Sequence, residues 1–299
     1  MTQVAGLTFF IPKAHNARVL AFLFVDGLGL SEDPRSPLQY MDLPSLRALS
    51  RGFGQQAFDR PHLAYRVLDA GLDVEGLPQS GTGQTTLLTG RNAAQLLGYH
   101  QGPHPLSRLQ GLLQQESLQV WTARQGLRVL HANGYRQEYL EKVGTSRRNI
   151  LSAFGFAAQV TGLKLLPTDD PLALLPAFWP NPRSEGSRFA RLAEGYHLTI
   201  LENWALDYTA HRAPDKLGAR LVELDSFVEG FLAASSEATL VLTADHGNAE
   251  EPWHTQHTRN PVPLIVYGRL AGSVPEMNSL TDLAPWIKKQ LVGHRELVG

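Results

Sequence analysis

Three apolar runs of strand length, each leading into acidic residues, constrain the fold of this chain more than any other feature. Arg18 to Val25 reads RVLAFLFV and stops at Asp26-Gly27-Leu28-Gly29. His197 to Leu201 runs into Glu202-Asn203, and Thr239 to Thr243 is followed by Ala244-Asp245-His246-Gly247. Continuous apolar runs bounded by small or polar turns fit strands buried on both faces. Further strand candidates are Ala64 to Leu68, Leu127 to His131 and Pro263 to Tyr267, with helical patterns between them. That alternation predicts an α/β fold of three layers, a mostly parallel central sheet with helices on both faces. Such sheets place ligands just beyond the carboxyl ends of their strands, which is where these acids stand.

The chain has 299 residues and a formal charge of -1, enough for one large domain or a core with a smaller insert. Between residues 134 and 195 the regularity weakens into aromatic, Pro-rich and Arg-containing sequence such as LLPAFWPNPRSEGSRFA. Residues 1–133 and 196–299 are therefore expected to form the core, with 134–195 a cap-like insertion or a long connection. There are no cysteines, so a metal here must be held by nitrogen and oxygen. No window reaches the roughly 18 consecutive apolar residues of a membrane span. The first residues lack a basic stretch leading into an apolar segment, so a cytoplasmic protein without a membrane partner is expected. Positive charge is scattered and balanced by acids, and no nucleic-acid partner is expected.

Four segments carry residues suited to metal and phosphate chemistry. Asp26 is delivered to a strand end with Gly27 beside it, although Asp-Gly is also an ordinary turn pair. Asp207 and His211 in ENWALDYTAHR are four apart, a spacing that puts both on one helix face, as one ion would require. Asp245 and His246 follow a buried-type strand, and His254 and His257 come soon after in HTQHTRNPVP, one of them a candidate structural histidine. The segment LPQSGTGQTTLLTG offers hydroxyls on a glycine-bearing turn before a helix, where backbone N–H groups and the helix dipole favour phosphate, or simply cap the helix.

In this order, VDGLG, GLPQSGTGQT, ENWALDYTAH, TADHGN and HTQHTRNPVPLIVYG resemble the site motifs of the alkaline phosphatase superfamily. The likeness is greatest to the metal-binding domain of cofactor-independent phosphoglycerate mutases, with phosphopentomutases also similar. The resemblance implies two divalent cations, Mn²⁺ or Zn²⁺. One would be bound by Asp26, Thr85, Asp245 and His246, the other by Asp207, His211 and His257, with His254 outside both. Aligning the GLP turns puts Thr85 at the nucleophile position, with Thr82 and Thr86 as alternative registers. The implied reaction is attack of Thr85 on a small-molecule phosphate ester, giving a phosphothreonine that water hydrolyses. Arg91, Asn133, Tyr135, Arg147 and Arg148 are candidate substrate contacts.

The mutases carry a large transferase insert between the nucleophile and the DxxGH motif, whereas only about a hundred residues separate Thr85 from Asp207. Ala210 also replaces the glycine of that motif. The expectation is therefore a two-metal phosphohydrolase. A phosphomutase, a phosphodiesterase or sulfatase, and a metal-binding protein without turnover are the alternatives.

Overall fold

The computed structural model describes residues 18–145, 150–177, 179–235 and 237–293. Its strands are β1 (Val19–Val25), β2 (Phe58–Arg60), β3 (Leu63–Leu68), β4 (Val129–His131), β5 (Gly134–Tyr135), β6 (Leu166–Pro167), β7 (Leu198–Asn203), β8 (Ala238–Thr243) and β9 (Val262–Tyr267). Seven of them form one sheet in the order β2-β3-β9-β8-β1-β7-β4. β1 pairs in parallel with β7 and β8, and β7 pairs in parallel with β4. The most apolar run thus becomes the central strand, and Leu20 to Val25 are fully buried. β9 runs antiparallel between β8 and β3. Parallel neighbours need a crossover, and no helix lies between β8 and β9, so the chain returns from the same edge of the sheet. The α/β architecture expected from the sequence is present, with a mixed sheet whose β8-β1-β7-β4 part is parallel.

Helices cover both faces. Ser80–Thr89, Ser107–Glu116, Leu118–Arg124, Ala153–Val160 and Leu283–Val292 pack together on one, and Pro182–Ala193 and Leu217–Ala234 on the other. None of the described helices is long and apolar enough to cross a membrane.

The described helices of residues 134–195 pack against the core. Phe154 stacks on Phe24 of β1 with ring centroids 4.5 Å apart and meets Phe22 edge-on at 5.8 Å. Phe189 lies 5.8 Å from Phe227 and 5.7 Å from Phe231. Burying each of these rings stabilises the fold by roughly 2–3 kcal/mol, so the segment supplies helices to both layers of one core. The segment reads as irregular for a physical reason. Helix Pro182–Ala193 buries Gly186, Phe189, Ala190 and Ala193 on one stripe while Arg183, Arg188 and Arg191 occupy the rest, and β5 and β6 have only two residues each.

Candidate metal centre

The carboxyl ends of the adjacent parallel strands β8, β1 and β7 deliver the acids to one place. Asp26 follows β1 directly, Asp245 and His246 follow β8, and Asp207 and His211 lie four apart on helix Ala205–Arg212 after β7. His257 comes from the loop before β9. Gly27 has φ +75°, and a Cβ there would lie 2.7 Å from Asp207 Oδ1, so glycine lets the β1 turn lie against Asp207.

Ligand-type atoms converge in two groups that share one imidazole. Those of Asp26, Asp245 and His246 lie within 4.8 Å of one another, as do those of Asp207, His246 and His257. In the first group His246 Nε2 is 3.3 Å from Asp26 Oδ1 and 3.6 Å from Asp245 Oδ2. Around Asp207, its Oδ2 is 3.4 Å from His211 Nε2 and its Oδ1 is 3.7 Å from His257 Nε2. The His246 and His257 rings stack at 3.7 Å, which brings the two groups side by side.

The donor set fits cations on three physical grounds. First, His257 Nδ1 lies 2.7 Å from Pro78 O and His211 Nδ1 lies 2.9 Å from Thr255 O. A carbonyl oxygen only accepts, so each Nδ1 carries a proton and Nε2 is the ring nitrogen left to face an ion. Those two Nε2 atoms face each other at 3.0 Å, an arrangement that repels unless a positive charge lies against it. Second, Asp26 Oδ1 and both carboxylate oxygens of Asp245 are buried without a hydrogen-bond partner. Third, three carboxylates meet here with no Lys or Arg paired to them among the described residues.

Burial dominates the electrostatics. It pushes the Asp245 carboxyl up to about 8, assisted by Asp207, and holds Asp26 well above the usual carboxylate range, assisted by Asp245. Burial also holds His246 well below the ordinary imidazole value, with His257 adding to the effect, and lowers His257.

The structure places the hydroxyls differently from the sequence-based expectation. The segment SGTGQTT is itself the start of helix Ser80–Thr89, and Ser80 is its first residue. Ser80 Oγ lies 3.0 Å from His246 Nε2, the atom on which Asp26 and Asp245 converge. Thr85 is more than a turn further along and fully buried, and its Oγ1 donates to Gly81 O at 2.7 Å. Thr82 Oγ1 donates to Gln79 O and Thr86 Oγ1 to Thr82 O, so neither alternative register reaches the acids. The glycines that read as a turn are packing devices: a Cβ on Gly83 would sit 2.8 Å from Asp245 Cβ.

The described candidate substrate contacts each have partners of their own. Arg91, beyond the far end of that helix, is exposed and pairs with Glu116 at 2.7 Å. Asn133 exchanges two hydrogen bonds with the backbone of Glu202, continuing the sheet past β4. The Tyr135 hydroxyl is 2.7 Å from His131 Nε2. Arg147 and Arg148 lie outside the described residues. His254, expected outside the ligand set, lies 3.1 Å from Glu251.

Besides Ser80, two amides near the acids escaped the sequence reading. Gln84 donates to Asp26, and Asn248 donates to Asp207. Glu202, at the end of β7, accepts from Ser152 Oγ at 2.7 Å, and burial raises its carboxyl to about 7. A signal for Ser80 existed: it directly follows the GLPQ turn, five residues before Thr85.

Residues 188–292 match the Metalloenzyme superfamily. Over 184 residues the chain is 30% identical to the 2,3-bisphosphoglycerate-independent phosphoglycerate mutase of Dinoroseobacter shibae, covering 57% of this chain and 35% of that protein. Over 108 residues it is 34% identical to the protein of the same name from Roseobacter denitrificans, covering 33% of this chain and 21% of that protein. The chain thus spans about a fifth to a third of the length of these curated relatives. In fold it is similar to a protein from Pyrococcus horikoshii, with a TM-score of 0.58 at 12% identity over 92% of this chain and 98% of that one. It is also similar to an alkaline phosphatase from the Antarctic bacterium TAB5, with a TM-score of 0.54 at 10% identity over the same shares, 92% and 98%.

Proposed function

Taking the chain as an alkaline phosphatase-superfamily metalloenzyme, we propose that it is a two-metal phosphohydrolase that cleaves a small phosphate monoester through a phosphoserine at Ser80. The observation that carries this reading is the position of Ser80 Oγ, 3.0 Å from His246 Nε2. It stands on the first residue of a helix, where N–H groups and the dipole favour the phosphate that would be transferred. Asp26, Ser80, Asp245 and His246 would hold one cation, and Asp207, His211 and His257 the other, with Mn²⁺ or Zn²⁺ suited to this nitrogen and oxygen set. When bound, such ions supply the charge that lowers the pKa of an attacking hydroxyl or water and neutralises the oxygens of the transferring phosphoryl group.

The protein's own groups then have defined work. Ser80 Oγ gives up its proton to solvent and attacks phosphorus in line, forming an Oγ–P bond as the bond from phosphorus to the ester oxygen breaks, and the alcohol leaves with a proton from solvent. Water then attacks the phosphoserine from the opposite side, releasing inorganic phosphate and restoring the hydroxyl. His246 Nε2 faces Ser80 Oγ, so the two would present their lone pairs to the same cation and His246 would not be the group that protonates the leaving alcohol. The helix start contributes N–H groups to the non-bridging oxygens.

A phosphomutase is the second reading, favoured by the names of the relatives. It requires the freed alcohol to be retained and rephosphorylated. The described part of segment 134–195 packs into the core, which supports hydrolysis instead.

The test is turnover of p-nitrophenyl phosphate and a panel of sugar and nucleoside phosphates by metal-reconstituted protein. Ser80→Ala should lose at least about a thousandfold in kcat, the scale expected for removing a nucleophile, while Thr85→Val keeps its activity. Equal rates for wild type and Ser80→Ala would refute the assignment. Phosphorus NMR of the products separates hydrolysis, which yields inorganic phosphate, from an isomerised ester.

A further inference from the structure

Asp26 and Asp207, one from each group of ligands, each have one carboxylate oxygen held by a neutral amide. We propose that Gln84 and Asn248 are positioning residues, Gln84 serving the cation of Asp26, Asp245 and His246 and Asn248 serving the cation of Asp207, His211 and His257. The inference rests on the two-cation reading of the site.

Gln84 lies one turn after Ser80 on the same helix and is buried. Its Nε2 donates to Asp26 Oδ2 at 3.2 Å, and its Oε1 accepts from the backbone N–H of Ala153 at 3.3 Å. That N–H can only donate and the carboxylate can only accept, so the amide has one orientation that satisfies both. With Oδ2 engaged, Asp26 is left presenting Oδ1, buried without a partner and 3.3 Å from His246 Nε2. Gln84 therefore selects which oxygen of Asp26 faces the cation. Ala153 opens helix Ala153–Val160, so the orientation of Asp26 is also tied to the 134–195 segment.

Asn248 does the same for Asp207. Its Nδ2 donates to Oδ1 at 2.7 Å, the oxygen that also lies 3.7 Å from His257 Nε2, and leaves Oδ2 without an amide partner, 3.4 Å from His211 Nε2. In both places a neutral donor fixes a carboxylate without cancelling its charge, so the full negative charge remains for the ion. A lysine or arginine at either position would orient the acid and also compete with the metal. Hydrogen-bond partners of this kind tune metal affinity through the ligand they orient.

Manganese binding to the metal-free protein, followed by titration calorimetry and elemental analysis, tests this without any activity assay. Wild type should take up two ions; uptake of none would overturn the two-cation reading itself. Gln84→Met, close in volume but without the donor, should weaken one ion by about 10–100-fold and leave the other unchanged. Gln84→Glu keeps an acceptor for Ala153 but cannot donate when ionised, and should weaken the same ion, covering the case in which Gln84→Met does not fold. Asn248→Leu should weaken the other ion on the same scale. In an Asp26→Ala background Gln84→Met should have no further effect, while in an Asp207→Ala background its loss should persist. Wild-type affinity in the folded variants, equal weakening of both ions, or a Gln84 effect that survives Asp26→Ala would overturn the assignment.

Discussion

Stripping divalent metal with a chelator should leave a protein whose stability falls as the pH rises above about 6.5. Burial raises Asp245 from 3.8 to about 8 and Glu202 from 4.5 to about 7. Over the pH range between those values the folded chain keeps protons that the unfolded chain has lost, so each such group costs about 1.4 kcal/mol per pH unit as pH increases. Buried histidines act with the opposite sign. His131, lowered by burial to about 4, and His246 and His257, also depressed, stay neutral in the fold while the unfolded chain protonates them. Their contribution grows as pH rises towards about 6.5, the ordinary imidazole value, and is constant above it. Between about pH 6.5 and about pH 8 only the acids remain: Asp245 loses about 2 kcal/mol and Glu202 about 1 kcal/mol. For a chain of this size that lowers Tm by roughly 4–10 °C. Loaded protein should not show the fall, because bound metal requires ionised ligands and gains affinity as protons leave. Thermal unfolding followed by circular dichroism, in chelator and in manganese, reads both curves. A metal-free Tm that stays level or rises across this window would refute the reasoning, as would an equal fall in the loaded protein.

Two further substitutions probe how the site is packed. Gly83→Ala puts a Cβ 2.8 Å from Asp245 Cβ and should cost about 1–3 kcal/mol in denaturant unfolding while reducing bound metal. Glu250 accepts from Gly29 N, Asn248 N, Thr258 Oγ1 and Asn260 Nδ2, so Glu250→Ala leaves several donors unpaired. It should cost about 3 kcal/mol or more, measured by the same denaturant titration.

The sheet was legible because buried strands carry their signal locally: every strand candidate read from the apolar runs is a strand of the main sheet. The acids and imidazoles were legible for a related reason, since strand ends and an i,i+4 spacing are local features. Asp26, Asp207 and Asp245 needed only a parallel sheet to meet. The 134–195 segment was not, because its stripe of Phe189, Ala190 and Ala193 is interrupted by arginines and acquires meaning only against Phe227 and Phe231.

The hydroxyl shows where the sequence stops. SGTGQTT offers four hydroxyl residues within seven, and glycine content alone argues for a turn rather than a helix. Tertiary packing reverses that preference: Gly83 lets the helix start press against Asp245, and the helix then aims Ser80 at His246 while Thr85 bonds back to its own turn. The order of strands and acids along the chain therefore determined that a polar, cation-fitting cluster would form at the sheet edge. Which hydroxyl reaches it, and which amide turns each carboxylate, was decided by contacts between residues as far apart as Ser80 and His246 or Gln84 and Ala153, which no local pattern records.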